Sequence, residues 1–255
     1  MKNIFIILGI LVIEGATTYA MDQVVKPEGQ EYSWRYKMTV TIDTPEGEIS
    51  GSAVRQMGDN YKVSFPSEAS NYGEVAGEAV VVDLKERGLL FALISSSSDI
   101  GFYSTFPFPD GAPETPEGYA YYQSLPIGTK AVMPLSSRTP RLVTFKDMDD
   151  PMSVELVYAR GSCQRDKSTS DECKADPKGS YTQTDRFEEL FGQGVKLKEI
   201  TMEITDQEIE WGRVDQYLPK TFNSKIKDNW RNLEYETKSK LYPLTRFEQG
   251  RYYEQ

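Results

Sequence analysis

W-R-Y-K-M-T-V-T-I-D-T-P-E-G-E-I-S-G-S-A-V-R, residues 34–55, decides the fold. Tyr36, Met38, Val40 and Ile42 alternate with Arg35, Lys37, Thr39 and Thr41, so an extended segment here has one apolar and one wet face. Asp43-Thr44-Pro45-Glu46-Gly47 follows, with Pro to fix one φ and Gly to accept a positive one, and the chain then returns through Ile49, Gly51 and Ala53. The stretch reads as a β-hairpin with one face turned to a core.

Further strands are expected on either side of that hairpin. Tyr61–Phe65 alternates again and ends at Pro66, whereas Gly73–Gly77 reads as a glycine-punctuated connection. Ala79–Leu84 and Leu89–Ile94 are two nearly continuous apolar runs separated by Lys85-Glu86-Arg87-Gly88, the pattern of a hairpin covered on both faces. Each buried branched side chain there contributes about 1.5–3 kcal/mol, which makes this pair the candidate for the centre of the core. Arg141–Phe145 and Val154–Tyr158 read as strands joined by the acidic turn Lys146–Pro151. Val195–Thr205 is a strand whose apolar positions slip by one residue between Leu197 and Ile200, as at a bulge.

Two short helices are expected. Asp185 and Glu188 form a capping-box pattern ahead of Phe187, Leu190 and Phe191, with Gly192 as a stop. Thr205 and Glu208 repeat that pattern before Trp211, Val214, Tyr217 and Leu218, until Pro219 ends the run. The fold class is thus mainly β: an antiparallel sandwich or open barrel with two short helices, in a single domain over residues 21–255.

Residues 1–20 carry one lysine, an apolar run from Ile4 to Ile13, and Ala20 with Thr18 two positions before it. This is the pattern of a secretory signal peptide. The run is shorter than the roughly 20 residues that span a bilayer, so a retained anchor is the lesser alternative. With no cysteine at the cut, diacylglyceryl attachment there is excluded. Export to the periplasm or the extracellular space is therefore expected, with no transmembrane segment after cleavage. The formal charge of −10 argues against nucleic acid as a partner. Between 220 and 255, eight Lys or Arg stand against five Asp or Glu, a basic aromatic tail on an acidic body.

Cys163 and Cys173 are the two cysteines of the chain, and in an oxidising compartment they are expected to pair. Closing so short a loop stabilises by about 2.5–3 kcal/mol at most. Residues 159–180 around them have almost no apolar content and read as a disulfide-stapled surface insertion.

The chain contains no histidine, which removes Ser-His and Cys-His nucleophile pairs and imidazole metal sites together. No Gly-rich phosphate loop is present. Asp147, Asp149 and Asp150 lack the glycine and full ligand set of a calcium loop, and read as a solvated turn. Neither metal nor cofactor is expected. The segment Ser95–Gln123 holds four prolines and seven aromatics: Phe102, Tyr103, Phe106, Phe108, Tyr119, Tyr121 and Tyr122. Prolines so dense read as a long loop, and long loops of compact domains carry function disproportionately. These seven are the candidate binding residues; alternatively they cap the open end of the sheet.

The segments 35–55, G-E-A-V-V-V-D-L-K-E-R-G-L-L-F-A-L (77–93), P-R-L-V-T-F-K-D-M-D-D-P-M-S-V (140–154), F-G-Q-G-V-K-L-K-E-I-T-M-E-I-T-D (191–206) and G-R-V-D-Q-Y-L-P (212–219) together resemble a family of uncharacterised exported bacterial proteins, some lipoprotein-like, mostly from proteobacteria. The resemblance covers most of 34–219 and implies export and a shared domain, but no activity. Residues 159–180 depart from that pattern, as does the missing lipobox cysteine. The expected function is non-enzymatic binding of a protein or envelope component through the aromatic segment 102–122. The alternatives are a carboxylate-dependent hydrolase of an envelope polymer and a structural accessory subunit.

Overall fold

The alternation becomes one long strand, β1 (Tyr32–Thr44), which buries Tyr32, Trp34, Tyr36, Met38, Val40 and Ile42 and leaves Arg35, Lys37, Thr39 and Thr41 half-buried. A computed structural model describes residues 32–59, 73–94, 99–150, 153–218 and 247–249. The expected strand at Tyr61–Phe65, residues 1–31 and most of the basic tail lie outside these. Thr44 closes the first turn, its hydroxyl donating to the Gly47 carbonyl at 2.7 Å and accepting from the Glu46 N–H at 3.3 Å. Gly47 takes φ +124°, and β2 (Gly47–Asp59) returns antiparallel with Val40 opposite Gly51 and Tyr36 opposite Arg55.

Two antiparallel sheets result. The first runs in the order β11 (Glu248–Gln249), β3 (Gly73–Glu78), β2, β1, β10 (Lys196–Thr205), β6 (Lys130–Val132). The second runs β4 (Val80–Asp83), β5 (Leu89–Ala92), β7 (Leu142–Phe145), β8 (Val154–Ser162), β9 (Ser180–Asp185). This is a mainly β, sandwich-like fold, as expected. The bulge is also where the spacing places it: Thr41 faces Glu199 but Ile42 faces Leu197, so Lys198 is the extra residue.

The hairpin β4–β5 is covered on both faces. Val80, Val82, Leu90 and Ala92 join the main core with Met38, Val40 and Ile200, while Val81, Phe91 and Leu93 join a second cluster with Val143, Phe145, Val214, Leu218 and Phe247. It is not central to its sheet, however, because β4 forms an edge. A Cβ on Gly51 would lie 1.9 Å from the Val81 carbonyl oxygen, so the missing side chain lets the β2 and β4 backbones approach. The chain passes between sheets at Glu78–Val80, just after Gly77 at φ +146°.

Three expectations are corrected. Gly73–Gly77 is strand β3, because its backbone pairs with β2 from Arg55 opposite Gly77 to Asp59 opposite Gly73. Of the second expected helix only a 3-10 turn forms, Val214–Gln216, preceded by Gly212 at φ +89°. The first is found as α5 (Phe187–Phe191), but four further helices were not expected, as described below.

The stapled insertion is also smaller than 159–180. Strand β8 continues to Ser162, which pairs with Ser180 of β9, so only 163–179 leaves the sheet. That loop holds α3 (Cys163–Asp166) and α4 (Asp171–Ala175), each N-capped by a serine, Ser162 and Ser170. Cys163 and Cys173 lie at disulfide distance, Cα–Cα 5.4 Å, and both are buried. Arg160 ties the loop down through Glu172 (2.8 Å) and also donates to the Ser180 carbonyl of β9 (3.0 Å). The described residues belong to one compact unit. No helix among the described residues is long and apolar enough to cross a membrane.

Candidate functional site

The aromatic stretch is not a long loop. It forms α1 (Ile100–Thr105) and α2 (Pro116–Ser124), because the prolines stand where helices tolerate them. Pro107, Pro109 and Pro113 lie between the two, and Pro116 takes the first position of α2, where its missing N–H is not needed. The Thr115 hydroxyl caps α2 by accepting from the Gly118 N–H at 3.2 Å.

Nor do the seven aromatics present a surface. Phe102, Tyr103, Phe106, Tyr119 and Tyr122 are buried, and Phe108 and Tyr121 are partly buried against the same core. Trp34 of β1 meets Phe102 at 5.8 Å, Tyr119 at 6.1 Å and Tyr122 at 5.3 Å between ring centroids, and Tyr36 meets Phe102 at 4.9 Å. Phe108 meets Tyr121 at 5.4 Å between ring centroids, the rings tilted. Aromatic pairs at such distances add about 0.5–1.5 kcal/mol each beyond their burial, so the helices close the sandwich over β1. Burial pushes the Tyr122 phenol up to about 12. The binding surface expected of these residues is thereby corrected: the rings are spent on the core.

Beneath α1 lies a buried polar cluster. Asp99, just ahead of α1, accepts from Arg55 Nη1 at 2.9 Å and from the Tyr36 hydroxyl. Arg55 also donates to the Ala92 carbonyl at 3.1 Å and the Glu78 carbonyl at 3.2 Å. All three side chains are fully buried, and Asp99 stands at φ +38°, a left-handed conformation that costs a non-glycine residue on the order of 1 kcal/mol. Burial first, and then the charge of Asp99, raise the Tyr36 phenol well above its ordinary value. The cluster carried a signal in the strand alternation: inward Val40 faces Gly51, so Ala53, Arg55 and Met57 must also point inward.

Glu78 is the other buried acid among the described residues. Its carboxylate accepts from the backbone N–H groups of Gly212, Arg213 (2.9 Å) and Val214 (3.1 Å), which pins the 3-10 turn to the corner between the sheets. Both buried acids thus serve the fold. Asp147, Asp149 and Asp150 sit in a turn closed by the Ser153 hydroxyl, 2.7 Å from the Asp147 and Asp150 carbonyls. Among the described residues no group of three or more acids or cysteines is arranged to hold a metal ion.

Three exposed large apolar side chains instead follow α2 in sequence. Ile127 is 65% exposed, Val132 58% and Leu135 39%. Val132 lies in β6, with Ile127 and Leu135 in the segments before and after it; β6 ends the first sheet and pairs with β10 through Met202 opposite Ala131. The Thr129 carbonyl accepts from Ile204 N–H at 2.9 Å, and Met133 N–H donates to the Ile200 carbonyl at 2.8 Å. Thr129, Ala131 and Met133 therefore face β10, and by alternation the backbone groups of Lys130 and Val132 face outward. Among the described residues nothing pairs with that edge. This strand was not among those expected, although K-A-V between Pro126-Ile127-Gly128 and Pro134 has the chemistry of a short bracketed strand.

No family model, no curated protein and no solved structure matches the chain.

Proposed function

We propose that this chain is a non-catalytic exported envelope protein that binds a protein or envelope component along the β6 edge. One observation carries the binding surface: the outward backbone of Lys130 and Val132 belongs to a strand with exposed Val132 on it and exposed Ile127 and Leu135 in the segments on either side. Unpaired strand edges template the addition of another strand, and apolar side chains beside them supply the burial that makes it hold. Export is supported by the leader-like pattern of residues 1–20, by the resemblance to exported proteobacterial proteins, and by the cysteine pair at disulfide distance. A non-catalytic role is supported by the lack of histidine and by the commitment of Asp99 and Glu78 to structural contacts.

The test is photocrosslinking in cells expressing the full chain, with the photoreactive residue in place of Val132 and, as a control, Lys174 on the stapled loop. A discrete adduct is expected from position 132 alone, in the exported fraction. Equal labelling from both positions, or none from position 132, would overturn the docking edge. A chain retained in the cytosol with free thiols would overturn export.

A further inference from the structure

The β6 edge differs in charge from the molecule that carries it. We infer that it accepts an acidic, extended peptide segment as an additional strand, a proposal that rests on β6 being the docking edge. From Gly118 to Lys146 the sequence has no Asp or Glu, while Lys130, Arg138, Arg141 and Lys146 fall within it, in a chain whose formal charge is −10. Lys146 is committed to Glu155 at 2.7 Å. Lys130 and Arg138 are exposed, with no ion pair among the described residues; Arg138 donates to the Ser104 hydroxyl at 3.2 Å. Glu203 stands opposite Lys130 in the ladder, on the β10 side.

β6 and the segments next to it in sequence thus offer three kinds of group: outward N–H and C=O at Lys130 and Val132, exposed apolar Val132 with Ile127 and Leu135 on either side of the strand, and the cation of Lys130, with Arg138 further along the same acid-free stretch. An extended segment alternating acidic with branched apolar residues satisfies all three. Its backbone continues the ladder, its apolar side chains cover Val132, and its carboxylates meet the cations. A second copy of this chain fits less well, because edge-to-edge pairing sets two Lys130 ammonium groups opposite or diagonal to each other on one face. An anionic lipid surface cannot use the outward backbone groups, and the acidic body opposes it.

The probes are short labelled peptides of equal length, one alternating Glu with Val, one Thr with Val and one Lys with Val, offered to the full chain and followed by fluorescence anisotropy. The Glu–Val peptide is expected to bind, to lose about tenfold in affinity in the Lys130→Glu/Arg138→Glu variant, and to slow amide exchange at residues 130 and 132. Val132→Pro removes an outward donor without touching a bond to β10, so it is expected to fold and to weaken the peptide. Equal binding of the Glu–Val and Thr–Val peptides would keep the docking edge and overturn the acidic partner. Failure of all three peptides with a positive crosslink at position 132 would overturn the peptide class alone. Binding to anionic vesicles with no peptide binding, or dimerisation lost in Val132→Pro, would overturn it in favour of a lipid surface or a second copy.

Discussion

Arg55 is buried because three elements each offer it an oxygen: Asp99 ahead of α1, Ala92 at the end of β5 and Glu78 at the end of β3. A guanidinium suits this position, since its fixed fork spreads donors over separate acceptors where an ammonium would not. Arg55→Ala strands a buried carboxylate, and the expected loss is about 3–5 kcal/mol of unfolding free energy by chemical denaturation. The double change Arg55→Met/Asp99→Asn is expected to recover part of that loss; no recovery would mean that the charge is not what matters. Tyr36 adds a pH dependence. Its phenol is held above 10.0 by burial and by Asp99, and Tyr122 is pushed up to about 12 by burial. Groups that hold their proton more tightly when folded stabilise fully below their unfolded pKa, and that stability is lost as pH rises beyond it. Denaturant midpoints are therefore expected to fall as pH rises from about 10 toward about 12, and to fall less in Tyr36→Phe/Tyr122→Phe. An identical fall in both proteins would refute this.

Among the elements, Gly51 marks where β2 and β4 come closest. Gly51→Ala drives a methyl into the Val81 carbonyl, backbone against backbone, and is expected to cost at least about 1–3 kcal/mol. Thermal unfolding would check it, with Gly47→Ala as a comparison that meets no neighbour but carries the strain of φ +124°. Elements defined by alternation were legible, β1, β2 and β10 with its bulge, since a period of two can be read from side chains alone, while the β4–β5 hairpin and β7 were legible as short continuous apolar runs. What was missed depended on partners distant in sequence. Strand β3 looked like a glycine loop because its strength lies in main-chain pairing with β2. Helices α1 and α2 were hidden by prolines that fall between them or at a permitted first position. The expected helix after Thr205 yields because Glu78 takes the backbone amides of 212–214. For the candidate site, the aromatic residues were visible as a group, but their direction was not, since it depends on the inward rings of Trp34 and Tyr36.

At the scale of the whole molecule, the second sheet is lined on both sides. The main core fills the space toward β1, and the smaller cluster of Phe91, Val143, Phe145, Val214 and Phe247 covers the far face. Residues from the last quarter of the chain thus complete a layer begun near position 80. The first sheet has the same property, with β1 flanked by its sequence neighbour β2 and by β10. A chain ended after Gly194 is expected to lose protease resistance throughout residues 32–59, and not merely near its new terminus. Retention of a protected fragment spanning that hairpin would show that it stands without β10.

The placement of β10 beside β1 sets an order of events during synthesis. Tyr36 and Met38 emerge early, yet their neighbours Ile204 and Met202 are made only after most of the polypeptide has left the ribosome. Until then β1, as long as any described strand, has one side unclosed, and non-local pairings of this kind form slowly. A nascent chain so arranged postpones its own completion, and were it exported as proposed above, that delay would keep it threadable for a translocation channel.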